Sequence, residues 1–316
     1  GIVHLFDRMG VPFNRTHEGL LDFQRSDGTH FRRTAFAGVT TGQQMLYALD
    51  EQARRYELEG LITRHEGWEF LSAVLDDNHI ARGMAAINLS NMELKVFRAD
   101  AMIIATGGIG MIFGRSTNST ICTGSAAGAL FQQGVWYANG EFVQVHPTAI
   151  PGEDKNRLMC EAIRGEGGRV WTVKNGKPWY FLEEWYPKYR NLVPRDIASR
   201  AIFKVCRELK LGIDGKDMVY LDISHLDKHI FEKKLAGVIE MYQKFASKDQ
   251  RKVPMEIFQS VHYTMGGFYV DSKHRTNIQG VLAAGECGDQ YHGANCLGGN
   301  SLLSSIYGGG IAAQAA

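Results

Sequence analysis

The sequence predicts an α/β fold in which one cofactor-binding domain is interrupted by an inserted α+β domain. Three observations point there. The run DAMIIATGG, ending at Gly108, is a nearly continuous apolar strand that opens into glycines, the usual edge at which an α/β sheet meets a phosphate or cofactor. The composition changes near residue 146, and between Gly152 and Pro254 the chain becomes rich in Trp, Tyr, Lys and Glu. From Val261 onward short apolar strands return (GGFYV, GVLAAGE), followed by a second glycine-rich turn and a closing helix.

The elements follow in order. GIVHLFDRMG reads as an amphipathic helix with Ile2, Leu5, Phe6 and Met9 on its apolar side. Residues 11 to 37 alternate short apolar pieces with polar turns such as Arg25-Ser26-Asp27-Gly28, which suits strands and loops. The spacing of Met45, Leu46, Leu49 and Ala53 predicts a helix over 40 to 60, with Gly60 where a helix-ending residue belongs. Residues 68 to 75, 80 to 89 and 93 to 104 read as successive strands. Helices are expected at about 196 to 210 and 227 to 247. The resulting division gives residues 1–140 and 259–316 to the cofactor-binding domain and 141–258 to the insert. A chain that opens inside a helix without an initiator Met and stops in GGGIAAQAA reads as a piece of a longer protein.

Composition excludes several classes. The 316 residues are 44% hydrophobic and 22% charged, enough to bury a core. With 35 basic and 34 acidic residues the net charge is +1, so nothing calls for nucleic acid or an anionic membrane surface. The five cysteines, Cys122, Cys160, Cys206, Cys287 and Cys296, contain no CxxC pair. That argues against a zinc or iron-sulfur site in this chain and for a reduced, cytosol-facing compartment. No stretch approaches the roughly 20 apolar residues that cross a bilayer, and the first residues lack the order of a signal peptide.

Two glycine turns and four polar clusters carry the chemistry. ATGGIGMIFG (Ala105 to Gly114) is not GxGxxG, and AAGECG (Ala283 to Gly288) offers Glu286 as an acceptor for ribityl or ribose hydroxyls. In EFVQVHPT, His146 precedes Pro147, where the chain is expected to leave its strand. In MCEAIRGEGG, Glu161 and Arg164 lie three apart, a spacing that can pair them on a helix. In LVPRDIASRAIF, Arg195 sits at a helix start beside Asp196, placed to cap it. SVHYTMGG sets His262 before a double glycine. Taken singly, each has a bland reading, since a lone His beside a strand is usually structural and a lone Arg at a helix start is usually solvated. Their recurrence together with two cofactor-like turns argues for a site.

The motifs HPT, RGEGG, PRD before a helix, HYTMGG, GECG and HGANCLGGNSLL stand in an order and spacing that resembles the succinate dehydrogenase and fumarate reductase flavoproteins. TTGQQMLYALDEQARRYE and GKPWYFLEEWYPKYRNLVPRDIA are most similar to the succinate dehydrogenases of Bacillus-like, menaquinone-using bacteria. The resemblance covers essentially the whole chain.

That resemblance implies a Rossmann-like FAD-binding domain, incomplete here, with an inserted capping domain and a dicarboxylate, succinate or fumarate, held between them. It gives substrate-binding roles to His146, Cys160, His262 and Cys296, and catalytic roles to Arg195, as the proton-transferring group, and to Glu161 and Arg164, as its relay to solvent. A guanidinium is a poor base in water, with a pKa above about 12, but can serve when buried beside other cations. FAD contacts carry over to Ala105, Thr106, Gly107, Gly108, Ser125, Glu286, Ser301 and Leu302. No metal ligands are implied. Three positions depart from the family: Ser125 stands where Asp is frequent, Cys160 where Thr or Ser is frequent, and Cys296 where an Arg binds a substrate carboxylate. The family's GxGxxG motif and its flavin-linking His fall upstream of Gly1, so this piece alone is expected to bind FAD poorly. The implied partners are an iron-sulfur subunit and a cytochrome b membrane anchor, placing the protein peripherally on the cytoplasmic face of the membrane. The rival readings are an L-aspartate oxidase-like flavoenzyme and a homologue impaired by Cys296.

Overall fold

The computed structural model describes residues 1–24 and 31–316, and the Arg25 to Gly28 turn lies outside them. Helix α1 (Ile2–Arg8) buries Phe6 against Val11, Phe13, Met45 and Ala48, the last two from α2 (Thr41–Leu58). A short pair, β1 (Phe23–Gln24) and β2 (Thr34–Ala35), lies between these helices in sequence. Helix α2 ends as its sequence predicts: Gly60 takes φ +76, its N–H reaches the Glu57 carbonyl, and Leu61 N–H reaches Tyr56. Those two bonds satisfy the last-turn carbonyls, and only a residue at ease with positive φ permits them.

β3 (Trp68–Leu75), β4 (Ala81–Asn88) and β5 (Leu94–Arg98) form an antiparallel meander. The run expected as one strand over 93 to 104 is two. It breaks at Ala99 to Ala101, and β6 (Met102–Ile104) leaves the meander to pair in parallel with β15 (Val281–Ala283). Continuous apolarity could not reveal the break, because both pieces are strands and only their partners differ. Helix α3 (Ser125–Gln132) packs on this part through Leu130, in a core shared with Met102, Ile104, Val281, Ala283 and Phe268. Phe268 belongs to β14 (Gly267–Phe268), which pairs with β7 (Tyr137–Ala138).

A six-stranded antiparallel sheet in the order β11-β10-β12-β13-β8-β9 organises the middle of the chain. Its strands are β8 (Val143–Ile150), β9 (Arg157–Leu158), β10 (Arg169–Lys174), β11 (Lys177–Trp179), β12 (Val219–Asp222) and β13 (Met255–Thr264). Helices α5 (Phe181–Trp185), α6 (Arg195–Phe203) and α8 (Ala236–Ala246) share its largest core, which includes Ile150, Phe181, Ile202, Leu221, Val238 and Ile257. The helix expected over 227 to 247 is divided into α7 (Lys228–Lys233) and α8, and α6 continues as a π-helical segment through Glu208. Strand β8 does not end at Pro147. The strand tolerates a residue without an N–H because its pairing with β13 is irregular there, shifting register between Phe258 and Ser260. α9 (Asn300–Ala315) closes the chain and packs on the 285–287 turn.

Candidate active site

The central strand pair places two imidazoles against each other. His146 faces Ser260 in register, and His262 is the extra residue in a second register shift between Val261 and Tyr263. The bulge turns the His262 ring toward His146, and the ring centroids lie 5.1 Å apart at 69°. Both histidines have pKa values below the ordinary imidazole range, chiefly because burial disfavours the cation. For His262 the neighbouring His146 and Arg195 act in the same direction.

Neutral His146 has a defined tautomer. Its Nδ1 accepts the Thr148 backbone N–H at 3.2 Å, so the ring proton sits on Nε2. That Nε2 is 3.4 Å from Glu161 Oε1 and, among the described residues, has no well-formed hydrogen bond. A fully buried donor without a well-formed bond is costly, and an acceptor brought by a ligand would satisfy it. His262 Nδ1 is bonded to the Thr117 hydroxyl at 2.6 Å.

Glu161 precedes the single turn of α4 (Ala162–Gly165), and its Oε1 accepts the Nε–H of Arg195. Burial would raise the Glu161 pKa, but the His146 contact and the Arg195 charge outweigh it and hold the carboxyl at about 2. The expected Glu161 to Arg164 pairing is not found among the contacts of the described residues. Arg164 instead turns into the protein, and its Nη1 donates to the carbonyls of Asn191 at 3.0 Å and Val193 at 3.2 Å. Burial and the nearby Arg195 charge lower its pKa to about 9. Asp196 does not cap α6, whose N-cap is Pro194; its carboxylate meets Arg200 and Asn295 instead.

Arg195, Glu161 and Cys160 line a cleft of about 480 Å³ together with Thr41, Gly42, Gly299 and Leu302. Cys296 is 1% exposed, packs with Tyr263 and Met265, and has its thiol pKa pushed up to about 11 by burial. Burial also raises Cys160, whose Sγ accepts the Ala162 N–H at 3.4 Å. Sequence reasoning missed Gln144, whose buried amide joins Arg195 to the Cys296 loop through bonds of 2.7 Å. Its position two residues before His146, on the same face of a strand, was an available signal. Thr117 had none, because the loop that carries it is distant in sequence from His262.

Of the cofactor candidates, Glu286 and the 105–108 segment lie at the carboxyl ends of the parallel pair β6 and β15. Glu286 Oε1 accepts the Thr264 N–H at 2.9 Å, and burial raises the carboxyl to about 7. A Cβ on Gly108 would fall 2.2 Å from that oxygen, so glycine is what lets the 105–108 segment approach it. Ala105 and Thr106 are exposed beside it, and Ile103 is 40% exposed. A buried carboxyl flanked by bare backbone at a parallel-strand edge fits a polyhydroxylated, nucleotide-bearing cofactor. Ser301 and Leu302 occupy the first turn of α9, where the Ser301 carbonyl accepts the hydroxyls of Ser304 and Ser305. Ser125 stands apart at the exposed start of α3, within 3.3 Å of Thr123.

A model of the FAD binding domain matches residues 1–302. The chain belongs to that family. Within it, the chain is 66% identical over 311 residues to the succinate dehydrogenase flavoprotein subunit of Bacillus subtilis strain 168, covering 98% of this chain and 53% of that protein. It is 35% identical to the fumarate reductase flavoprotein subunit of Escherichia coli K12, covering 97% of this chain and 52% of that one. Among solved structures, a mutant of E. coli quinol fumarate reductase FrdA superposes with a TM-score of 0.90 at 33% identity, covering 99% and 54% of the two chains. The chain thus spans about half the length of the curated relatives it matches. No helix among the described residues is long and apolar enough to cross a membrane.

Proposed function

We propose that this chain is the substrate-handling part of a flavoprotein subunit that interconverts succinate and fumarate. The observation that carries the reading is the convergence of His146, His262, Glu161 and Arg195 on one partly buried site. FAD, when bound, supplies the two-electron acceptor for a hydride removed from one methylene carbon. Glu286, Gly108 and the 105–108 backbone would hold its polyhydroxyl and adenosine parts, and Ser301, Leu302 and Ser125 are the further candidates to contact it.

The chain's residues do the rest. Nε2–H of His146 donates to a substrate carboxylate, and His262, oriented by Thr117, supports the same end. Arg195 takes the proton from the neighbouring carbon in oxidation and returns it in fumarate reduction. Glu161 fixes the guanidinium by its Nε, and Arg164, whose proton burial loosens, continues the path away from substrate. Cys160 contributes only a weak donor to the cleft.

The separate core formed between Ile150 and Ile257 supports residues 141–258 as a capping domain, with 1–140 and 259–316 forming the FAD-binding part. By analogy with the relatives, electrons would pass to an iron-sulfur subunit and then to a cytochrome b anchor and quinone, with this subunit peripheral on the cytoplasmic membrane face. Succinate-dependent dye reduction by the full-length, FAD-loaded subunit tests the activity, and its absence would refute it. A second reading has one specific support: Cys296 occupies the position where the resemblance places a carboxylate-binding Arg, which describes a catalytically weakened homologue.

A further inference from the structure

Gln144 is the junction between Arg195 and the loop that carries Cys296. It is 3% exposed, its Oε1 accepts Arg195 Nη1 at 2.7 Å, and its Nε2 donates at 2.7 Å to both Asn295 Oδ1 and the Cys296 carbonyl. Asn295 Nδ2 then donates to Asp196 Oδ1 at 3.1 Å, and Asp196 directly follows Arg195 on α6. The contacts close a ring. A guanidinium has no acceptor and a backbone carbonyl no donor, so the Gln144 amide has only one workable orientation, and that orientation dictates the orientation of Asn295.

We propose that Gln144 and Asn295 are positioning residues that latch the Cys296 loop to the first turn of α6 and so hold the Arg195 guanidinium against substrate. The consequence for turnover rests on the reading of Arg195 as the proton-transferring group. The latch itself does not. With the ring closed, Cys296 is shut in. With it open, the loop loses its bond to β8 at the Cys296 carbonyl and the arginine loses a partner at Nη1.

The test has two readouts in the full-length, FAD-loaded subunit: alkylation of Cys296 by iodoacetamide, followed by peptide mass mapping, and steady-state succinate oxidation. Gln144→Met keeps the volume and removes both functions of the amide. Cys296 should label at least about tenfold faster, while the buried Cys206 and Cys287 keep their parent rates. The kcat should fall about tenfold or more with KM within about threefold, the size expected for losing a hydrogen bond to a charged group in a positioned state. Asn295→Asp supplies a pH signature. Its protonated carboxyl can still donate to Asp196 and accept from Gln144, whereas its ionised form opposes Asp196. Relative to the parent at each pH, Cys296 labelling should therefore rise and kcat fall as pH increases.

Unchanged labelling in both variants overturns the latch. Faster labelling with unchanged kcat overturns the positioning role. A parent without turnover contradicts the proposed activity and not the latch, which labelling then decides. If Gln144→Met fails to fold, the pH dependence of Asn295→Asp carries the test.

Discussion

Arg195 and Glu161 meet through Nε and Oε1 with their side chains only 11% and 12% exposed, so the pair holds its charges largely away from water. Such pairs are poor sources of net stability when complete but costly to break, because the survivor is left desolvated. Glu161→Gln should destabilise the folded protein by about 3 kcal/mol at pH 7, near the lower end for a broken buried pair because the amide still accepts from Arg195. The pH dependence has a definite sign. The folded carboxyl titrates at about 2, below its ordinary 4.5, so its contribution is full above about 4.5 and is lost as pH falls toward 2. Denaturant titrations of parent and variant should therefore converge on acidification. A gap independent of pH would contradict the ion-pair account.

Thr117 should matter for binding more than for chemistry. Its hydroxyl contacts His262 Nδ1 at 2.6 Å while the ring itself stays neutral and half-buried. In Thr117→Val the imidazole loses its only fixed hydrogen bond among the described contacts, and KM for succinate should rise about tenfold with kcat nearly kept. Thr117→Ser should restore the parent KM. A fall confined to kcat would place His262 in the chemical step instead.

Much of the scaffold was legible because it is local. Helix 41–58 announces itself by apolar spacing and Gly60, and the first two meander strands by their length and bounding turns. The site residues could be chosen from the sequence, yet their relations could not. Glu161 and Arg164 share a helical spacing, but α4 is one turn long and the longer Arg164 side chain finds carbonyls in the 191–193 segment, leaving Glu161 to Arg195. Pro147 promised a strand end, which irregular pairing with β13 removed. The same strand pair's second register shift aims His262 at His146, a tertiary event with no trace in local spacing. Gln144 was overlooked because a glutamine carries no charge to draw attention, although strand alternation placed it beside His146.

Cys296→Arg tests the most consequential departure from the family. The parent thiol is 1% exposed among Tyr263 and Met265 and, with its pKa raised to about 11, is no nucleophile at neutral pH. The backbone of this loop is fixed by Gln144 whatever the side chain, so a guanidinium has a defined origin from which to reach a carboxylate. The variant should lower KM for succinate sharply, by the equivalent of about 2 kcal/mol or more. Unchanged KM and kcat would show that this position does not face the substrate.

Glu286→Gln separates cofactor binding from stability. Burial lifts the folded carboxyl to about 7, above its ordinary 4.5. The folded state therefore holds a proton that the unfolded chain has released over this interval, so without cofactor stability falls as pH rises from about 4.5 to about 7. An amide at this position keeps an acceptor for the Thr264 N–H and never ionises. Without FAD, the variant should melt higher than the parent at pH 8, by an amount of order 3 kcal/mol, and match it near pH 4. With FAD present the order should reverse, because a carboxylate accepts hydroxyl hydrogen bonds more strongly than an amide does. Thermal melts at both pH values, with and without FAD, provide the check: a parent that is the more stable at pH 8 without cofactor would mean that the Thr264 N–H and its neighbours already keep the Glu286 carboxyl ionised, and that it does not await the hydroxyls of FAD.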